Sequence, residues 1–301
     1  MRISYLAEMV VLKTHIIKEL EHEFRFVDYV IGVFEGFETR NAVKTGIKKN
    51  RFRINGEKAE TGFWMCEGDC IELMERSEKP KAYDKEIEIV YEDDFFAIVN
   101  KPAGLVVSGN QFKTLENCLV DQIQGSTASD ALEWALPVHR LDAPTSGLVI
   151  FAKTITARRL LGSMFEEKVI AKQYHAIVHG IPKDGTIQSS IDGKESISTL
   201  KALHSAPSLK NDHLTLVQLE PKSGRTHQLR IHCQSIGNSI VGDQKYGDEQ
   251  GTFRNKGLFL VATQLKFNHP ISGQAISLEI PIPHKFESLL NRETKRASRY
   301  L

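Results

Sequence analysis

Short β-rich runs recur along most of this chain with few helices between them and no repeated β-α-β order. That pattern specifies an α+β fold built on a mixed, largely antiparallel sheet. Strands are expected at Ile87 to Tyr91 and Phe95 to Asn100, on either side of an acidic Glu-Asp-Asp turn, and over the apolar run Leu148 to Ala152. A further strand holds Ile170, Lys172, Tyr174 and Ala176 on one face, and others cover Ile187 to His204, Leu214 to Leu219 and two segments near the carboxyl end. Beyond residue 85, helical periodicity is confined to Thr114 to Ile123, Thr156 to Glu167, a helix inside Gly224 to Gly247, and His284 to Leu290 before a basic tail. Gly125 to Leu136 lacks either period and reads as a mobile loop.

The 301 residues, 41% hydrophobic, can bury the core of one large domain plus a small one. The polar, Pro80-containing stretch Ser77 to Asp84 reads as the linker between residues 1–76 and 85–301. In the amino-terminal part, Val27 to Glu35 and Arg40 to Lys49 read as two short helices. RFRING then forms a strand and an Asn-Gly turn, and Cys70 to Met74 closes the unit. Net charge is only +1, yet between Arg40 and Lys58 seven basic residues stand against one acid, Glu57. Such a local excess is a phosphate-binding footprint when it falls on one face, and a solvated surface otherwise.

The four cysteines are too few and too scattered for a disulfide framework, and Cys66 and Cys70 have no second pair at ligand spacing, so free thiols and no metal are expected. The apolar start of the chain is interrupted by Glu8, Lys13 and His15 and is neither a signal peptide nor a membrane span. A cytoplasmic protein with no membrane partner is expected.

Chemistry concentrates in HRLDAPTSGLVIFAKT, residues His139 to Thr154. Asp142 stands beside His139 and Arg140, ahead of a Pro-Thr-Ser-Gly turn and at the lip of a strand. An acid flanked by a cation stays ionised at neutral pH and can act as nucleophile or base. A turn aspartate that caps Thr145 or Gly147 and pairs with Arg140 fits the same residues. The stretch GRTHQLRIHCQSIGNSIVGDQKYG, Gly224 to Gly247, is a second anchor: its helix puts Leu229, Cys233 and Ile236 inward, ends at Gly237, and carries His227 and Arg230 on neighbouring faces. No Walker loop, GxGxxG after a strand or HExxH occurs, and no second acid is paired with Asp142 as a glycosidase would need.

HRLD followed after two residues by TSG and an apolar strand resembles the central motif of the RluA-type pseudouridine synthases. NKPAG at Asn100 to Gly104, the Lys-x-Tyr of Lys172 to Tyr174, and HQLR at His227 to Arg230 are similar to that family's other motifs, in the family's order. Two helices followed by RFRINGE and GDCIEL resemble the alpha-L RNA-binding motif often found ahead of such catalytic domains. The resemblance implies isomerisation of uridine in RNA, ribosomal first and transfer RNA second, by a monomer that needs no cofactor. It assigns catalysis to Asp142, stacking of the base to Tyr174, the ionic partner of Asp142 to Arg230, and the apolar wall to Leu229. His139 or Arg140 would hold the flipped nucleotide, Arg225 and His227 could contact RNA, and Arg40, Lys44, Lys48 and Arg51 would line the amino-terminal RNA face. Where the family usually has a charged pair after the aspartate, this chain has Ala143 and Pro144.

Overall fold

The computed structural model describes residues 11–20, 22–34, 36–74, 79–209, 212–247, 253 and 256–300. The first ten residues, Glu35 and the Ser77-Glu78 start of the expected linker lie outside them. The chain forms two compact units, residues 1–81 with 109–111, and residues 82–108 with 112–301.

The first unit contains β1 (Val11–Ile16), α1 (Phe26–Tyr29), α2 (Arg40–Lys48), β2 (Phe52–Ile54), β3 (Glu57–Lys58) and β4 (Cys70–Met74). Its sheet has the order β1-β4-β2-β3. β1 falls in a stretch without a local strand signal, because its pairing partner β4 is more than fifty residues away. The expected helix from Val27 shrinks to the four residues of α1, which end in a turn where Gly32 takes φ +78°. α2 starts at Thr39, whose hydroxyl accepts from the Ala42 amide, and buries Val43, Gly46 and Ile47 against Phe37 and Phe52.

The second unit contains β5 (Glu88–Glu92), β6 (Phe96–Lys101), α3 (Leu115–Leu119), β7 (Ala131–Pro137), β8 (Ser146–Thr154), α4 (Ile155–Glu166), β9 (Ala171–His179), β10 (Gly185–Ile191), β11 (Lys194–Ser208), β12 (Asp212–Pro221), α5 (Gln228–Ser235), β13 (Leu260–Asn268), β14 (Ala275–Glu279) and α6 (His284–Tyr300). The sheet runs β10-β11-β12-β9-β13-β8-β6-β5, with β14 on β13 and β7 on β8. Of these pairings only β13 with β8 is parallel.

β8 explains the continuous apolar run of the sequence. Leu148 and Ile150 join one core with Leu161 of α4 and Phe286, Leu289 and Leu290 of α6, while Val149 and Phe151 join another with Leu115 and Leu119 of α3. A strand covered on both faces has no reason to alternate. α5 buries Leu229 and Cys233 in a third cluster with Ala176, Val217 and Leu219, whereas Ile236, expected inward, is exposed just past the helix end.

Three other expectations change. β7 occupies the segment read as a mobile loop. The long strand from Ile187 is a hairpin of β10 and β11 turning at Asp192-Gly193, where both residues have positive φ. α6 runs on through the basic tail to Tyr300. No helix among the described residues is long and apolar enough to cross a membrane.

At the single parallel junction, Gly147 of β8 pairs with Ala262 of β13, which pairs in turn with Tyr174 of β9. Gly147 has φ +117°, and a Cβ there would stand 2.2 Å from the Ala262 carbonyl oxygen, a backbone atom that cannot swing aside. Gly147→Ala should therefore cost at least about 2 kcal/mol, from left-handed strain plus the clash. Urea unfolding of the variant checks this; stability equal to the parent would mean the junction is looser than it looks.

Candidate active site

The turn ahead of β8 carries Asp142, and it is fixed by its backbone. The Thr145 amide donates to the Asp142 carbonyl at 3.0 Å, and the Ala143 carbonyl accepts from the Gly104 amide at 2.7 Å and from Lys101 Nζ at 3.1 Å. Lys101 is fully buried at the end of β6, and its Nζ also donates to the carbonyls of Pro102 and Leu105. Burial pulls this amine down to about 8, against the opposing pull of Asp142. The Lys of NKPAG thus bridges elements beneath the site.

α5 brings Arg230 to the same place. Its Nη1 donates to Asp142 Oδ2 at 3.0 Å, while Nε and Nη2 form a fork on Asp243, both at 2.7 Å. The Asp243 carboxylate is wholly buried and also accepts from the amides of Lys245 and Tyr246. Burial opposes charge on both partners. The hydrogen bonds and charge of Asp243, then those of Asp142, nevertheless raise Arg230 above its ordinary range, and Arg230 with the two amides holds Asp243 below the usual carboxylate range. Gly242 makes this turn possible: it has φ +77°, and a Cβ there would meet the Gly257 carbonyl oxygen at 2.0 Å.

Asp142, Arg230, Tyr174, Leu229, His139, Arg140, Arg225 and His227 all line one cavity of about 560 Å³. Tyr174 is half-buried on β9, and among the described residues its hydroxyl has no hydrogen-bond partner. Burial, and then Asp142, raise its pKa, so the phenol is neutral. His227, in the left-handed region at the head of α5, shares a hydrogen bond between Nδ1 and the Tyr246 hydroxyl at 2.9 Å. Its Nε2 lies 3.8 Å from Asp142 Oδ1. Burial, with Arg230 and Lys245, holds the imidazole below its usual range despite Asp142 and Asp243.

His139 is turned to the fold. Its Nε2 accepts from the Ile150 amide at 3.1 Å, its ring stacks on Phe165 with centroids 4.4 Å apart, and burial, with Lys172 beside it, pulls it down to about 3. Arg140 is exposed at the rim. Arg225 donates its backbone amide to Gln228 Oε1, and its side chain reaches the Glu195 carbonyl at 3.5 Å.

Arg40, Lys44, Lys48 and Arg51 belong to the other unit. Arg40, Lys44 and Lys48 are exposed and recur every four residues on α2. Arg40 pairs with Asp28 at one end of that line. Arg51 is half-buried, donating Nε to the Met74 carbonyl at 2.6 Å beneath the Phe37 ring. Cys66, Cys70, Cys118 and Cys233 are free thiols.

Sequence reasoning missed Asp243, Tyr246, Gln228 and Phe165. Gln228 is buried and ties the loop after β12 to β11 through Ser223, Ile197 and Ser198. The Gly-Asp at the end of the second anchor, a turn signal followed by Lys and Tyr, was the available hint for Asp243 and Tyr246.

A sequence profile for RNA pseudouridylate synthase matches residues 95–235. The chain is 31% identical to the ribosomal large subunit pseudouridine synthase C of Rickettsia prowazekii, over 82% of this chain and 90% of that protein. It is also 31% identical to an uncharacterized RNA pseudouridine synthase of Aquifex aeolicus, over 83% and 88% of the two chains. The solved structure of human RNA pseudouridylate synthase domain containing 1 superposes with a TM-score of 0.55 at 26% identity, covering 65% of this chain and 83% of that one.

The site's electrostatics set an order of stability among its variants. Asp243→Ala leaves a buried guanidinium with one partner and should cost about 3–5 kcal/mol. Asp142→Ala, which removes the partly exposed partner, should cost clearly less; urea titrations in which the two are equal, or reversed, would refute this ordering. For His139, the folded-state pKa lies below the unfolded value, so the unfolded chain takes up the proton first on acidification. Its contribution is fully present above about pH 6.5 and falls by about 1 kcal/mol per pH unit toward pH 3. His139→Gln should flatten the stability profile over that window.

Proposed function

We propose that this chain, which belongs to the RluA-type family of RNA pseudouridine synthases, converts specific uridines of structured RNA to pseudouridine. The observation that carries the reading is the Asp142-Arg230 pair at a cavity walled by Tyr174 and Leu229. Large-subunit ribosomal RNA is the first substrate class, supported by relatives named as large-subunit pseudouridine synthases. Transfer RNA is the second.

The reaction breaks the bond between ribose C1′ and uracil N1, turns the base in the pocket, and joins C1′ to C5. A proton is lost at C5 and one is gained at N1, so no atom is gained or lost and the chemistry calls for no cofactor. Asp142, held through Oδ2 by Arg230, keeps Oδ1 for the sugar, as nucleophile at C1′ or as base at the ribose. The neutral Tyr174 stacks on the uracil drawn out of its helix, and Leu229 closes the pocket. Arg140, exposed at the rim, helps hold the flipped nucleotide out of its helix, while His139 serves by bracing the turn through Ile150.

Residues 1–76 comprise an amino-terminal extension and an alpha-L-like RNA-binding domain, 77–84 the linker and 85–301 the catalytic domain. The exposed line Arg40, Lys44 and Lys48 supplies phosphate contacts that add affinity without chemistry. The enzyme works as a monomer in the cytoplasm.

The test is incubation with uridine-labelled ribosomal and transfer RNA, scored for pseudouridine and for free uracil. Pseudouridine in ribosomal RNA is expected. Free uracil would identify a hydrolase, and no product with tight RNA binding would identify a binding protein. Because a neutral amide can neither attack nor accept at the sugar, Asp142→Asn should lower turnover by at least about a thousandfold while RNA affinity stays within about threefold. Turnover near the parent rate would remove Asp142 from the chemistry.

A further inference from the structure

Helix α6 carries an exposed face that the catalytic reading does not use. Arg292, Lys295, Arg296 and Arg299, with the neutral donors Ser288 and Asn291, frame one shallow concavity along it. The cations recur about once per turn, roughly 5.4 Å apart along the axis.

Only one of them has a structural role among the described residues. Arg296 pairs with Glu293 at 3.1 Å, and Glu293 in turn accepts from Ser208 of β11 at 2.8 Å. No carboxylate among the described residues pairs with Arg292, Lys295 or Arg299. The helix dipole accounts for Arg299, in the last turn, but not for Arg292 or Lys295. Glu287, the exposed acid of this helix, stands in its first turn, five residues before Arg292. Like charges at i,i+3 and i,i+4 repel, so this face weakens the helix unless an outside polyanion neutralises it. The whole chain balances 39 basic against 38 acidic residues, so an unpaired basic stripe is a local arrangement rather than a consequence of composition.

The opposite face of α6 is fully committed, with Phe286, Leu289, Leu290 and Ala297 buried. Among the described side chains of α6 none on the basic side is apolar, which favours a phosphate backbone over a membrane. The stripe is also remote from the cleft. Leu200 of β11 pairs with Leu219, and Leu219 with Tyr174, whereas α6 is tied to Ser208 at the other end of that strand, about 25 Å further along.

We propose that this face of α6 is a second RNA-binding surface, which grips the sugar-phosphate backbone of the same structured RNA at a distance from the uridine in the cleft. The inference rests on the proposed RNA substrate. It adds that the substrate is recognised as an extended folded RNA rather than as a local sequence.

The test compares full-length protein with the triple variant Arg292→Gln, Lys295→Gln, Arg299→Gln, leaving Arg296 on Glu293. Binding to transcribed large-subunit ribosomal RNA is titrated against salt. The slope of log affinity against log salt should fall by about 2 to 3, from roughly 0.7–0.9 for each phosphate no longer neutralised, with affinity at 0.1 M salt down at least about tenfold. The rate at saturating RNA should equal the parent's, and the melting temperature should not fall, since the removed charges repel one another. A variant with the parent's slope and affinity overturns the proposal. So does retention of the parent, but not the variant, on anionic phospholipid vesicles with RNA binding unchanged. A variant with an unaltered melting temperature and an abolished rate at saturation also overturns it, by making the stripe part of catalysis. If the parent binds this RNA but forms no pseudouridine in it, the enzymatic reading fails while the slope still decides the binding surface.

Discussion

The site depends on one guanidinium divided between two carboxylates. Arg230 is buried, so its charge is tolerable only because Asp243 takes Nε and Nη2 and Asp142 takes Nη1. The two acids are not equivalent. Asp243 is wholly buried and braced by two backbone amides, so it sets where the guanidinium lies. Asp142 is partly exposed and is met by the donor that remains. Orientation therefore passes from the turn after α5, through Arg230, to the carboxylate that faces the cavity. A full fork on Asp142 would have occupied both its oxygens; sharing the guanidinium leaves Oδ1 without an arginine donor.

The other anchor of Asp142 is made by backbone. Lys101 and the Gly104 amide both hold the Ala143 carbonyl, and the Thr145 amide closes the turn on Asp142 itself. This gives a physical account of the departure at Ala143 and Pro144. Position 143 contributes its carbonyl to the site, and a residue of any type supplies a carbonyl. The charged pair that family members usually carry there is therefore dispensable for holding the aspartate.

Much of the site was legible through the family resemblance, which implied the roles of Tyr174, Leu229 and Arg230, whereas the residues alone left Asp142 open between a turn cap and a catalytic group. Asp142, Tyr174, Leu229 and Arg230 converge on one cavity although they come from β9, α5 and the turn before β8. Asp243 was not legible. It lies thirteen residues after its partner, in a Gly-Asp turn whose sequence says only that the chain reverses. The fold divides in the same way. α3 and α4 start after Thr114 and Thr154, each of which accepts from the amide three residues on, whereas the expected start of α4 was Thr156. β7 carried no signal because it pairs with β8 across an irregular register and alternates poorly, and β1 because its partner is far along the chain. The Asp192-Gly193 hairpin was readable in principle, since Asp-Gly between β-rich runs is a strong turn signal.

The groups around Asp142 share one electrostatic tendency. Burial moves Tyr174, His227 and His139 each toward its neutral form, and Lys101 toward losing its proton. The positive charge set directly against Asp142 is then Arg230, itself largely satisfied by Asp243. A carboxylate in that setting is aimed into the cavity by one hydrogen-bonded donor, with neutral Tyr174 on one wall and the cations Arg140 and Arg225 also in the lining. Breaking a bond from ribose C1′ leaves that carbon electron-poor. In the proposed reaction, with Asp142 at the sugar, an anion held by one hydrogen-bonded donor would stabilise that developing positive charge more than the neutral nucleoside, which is the differential binding that lowers a barrier.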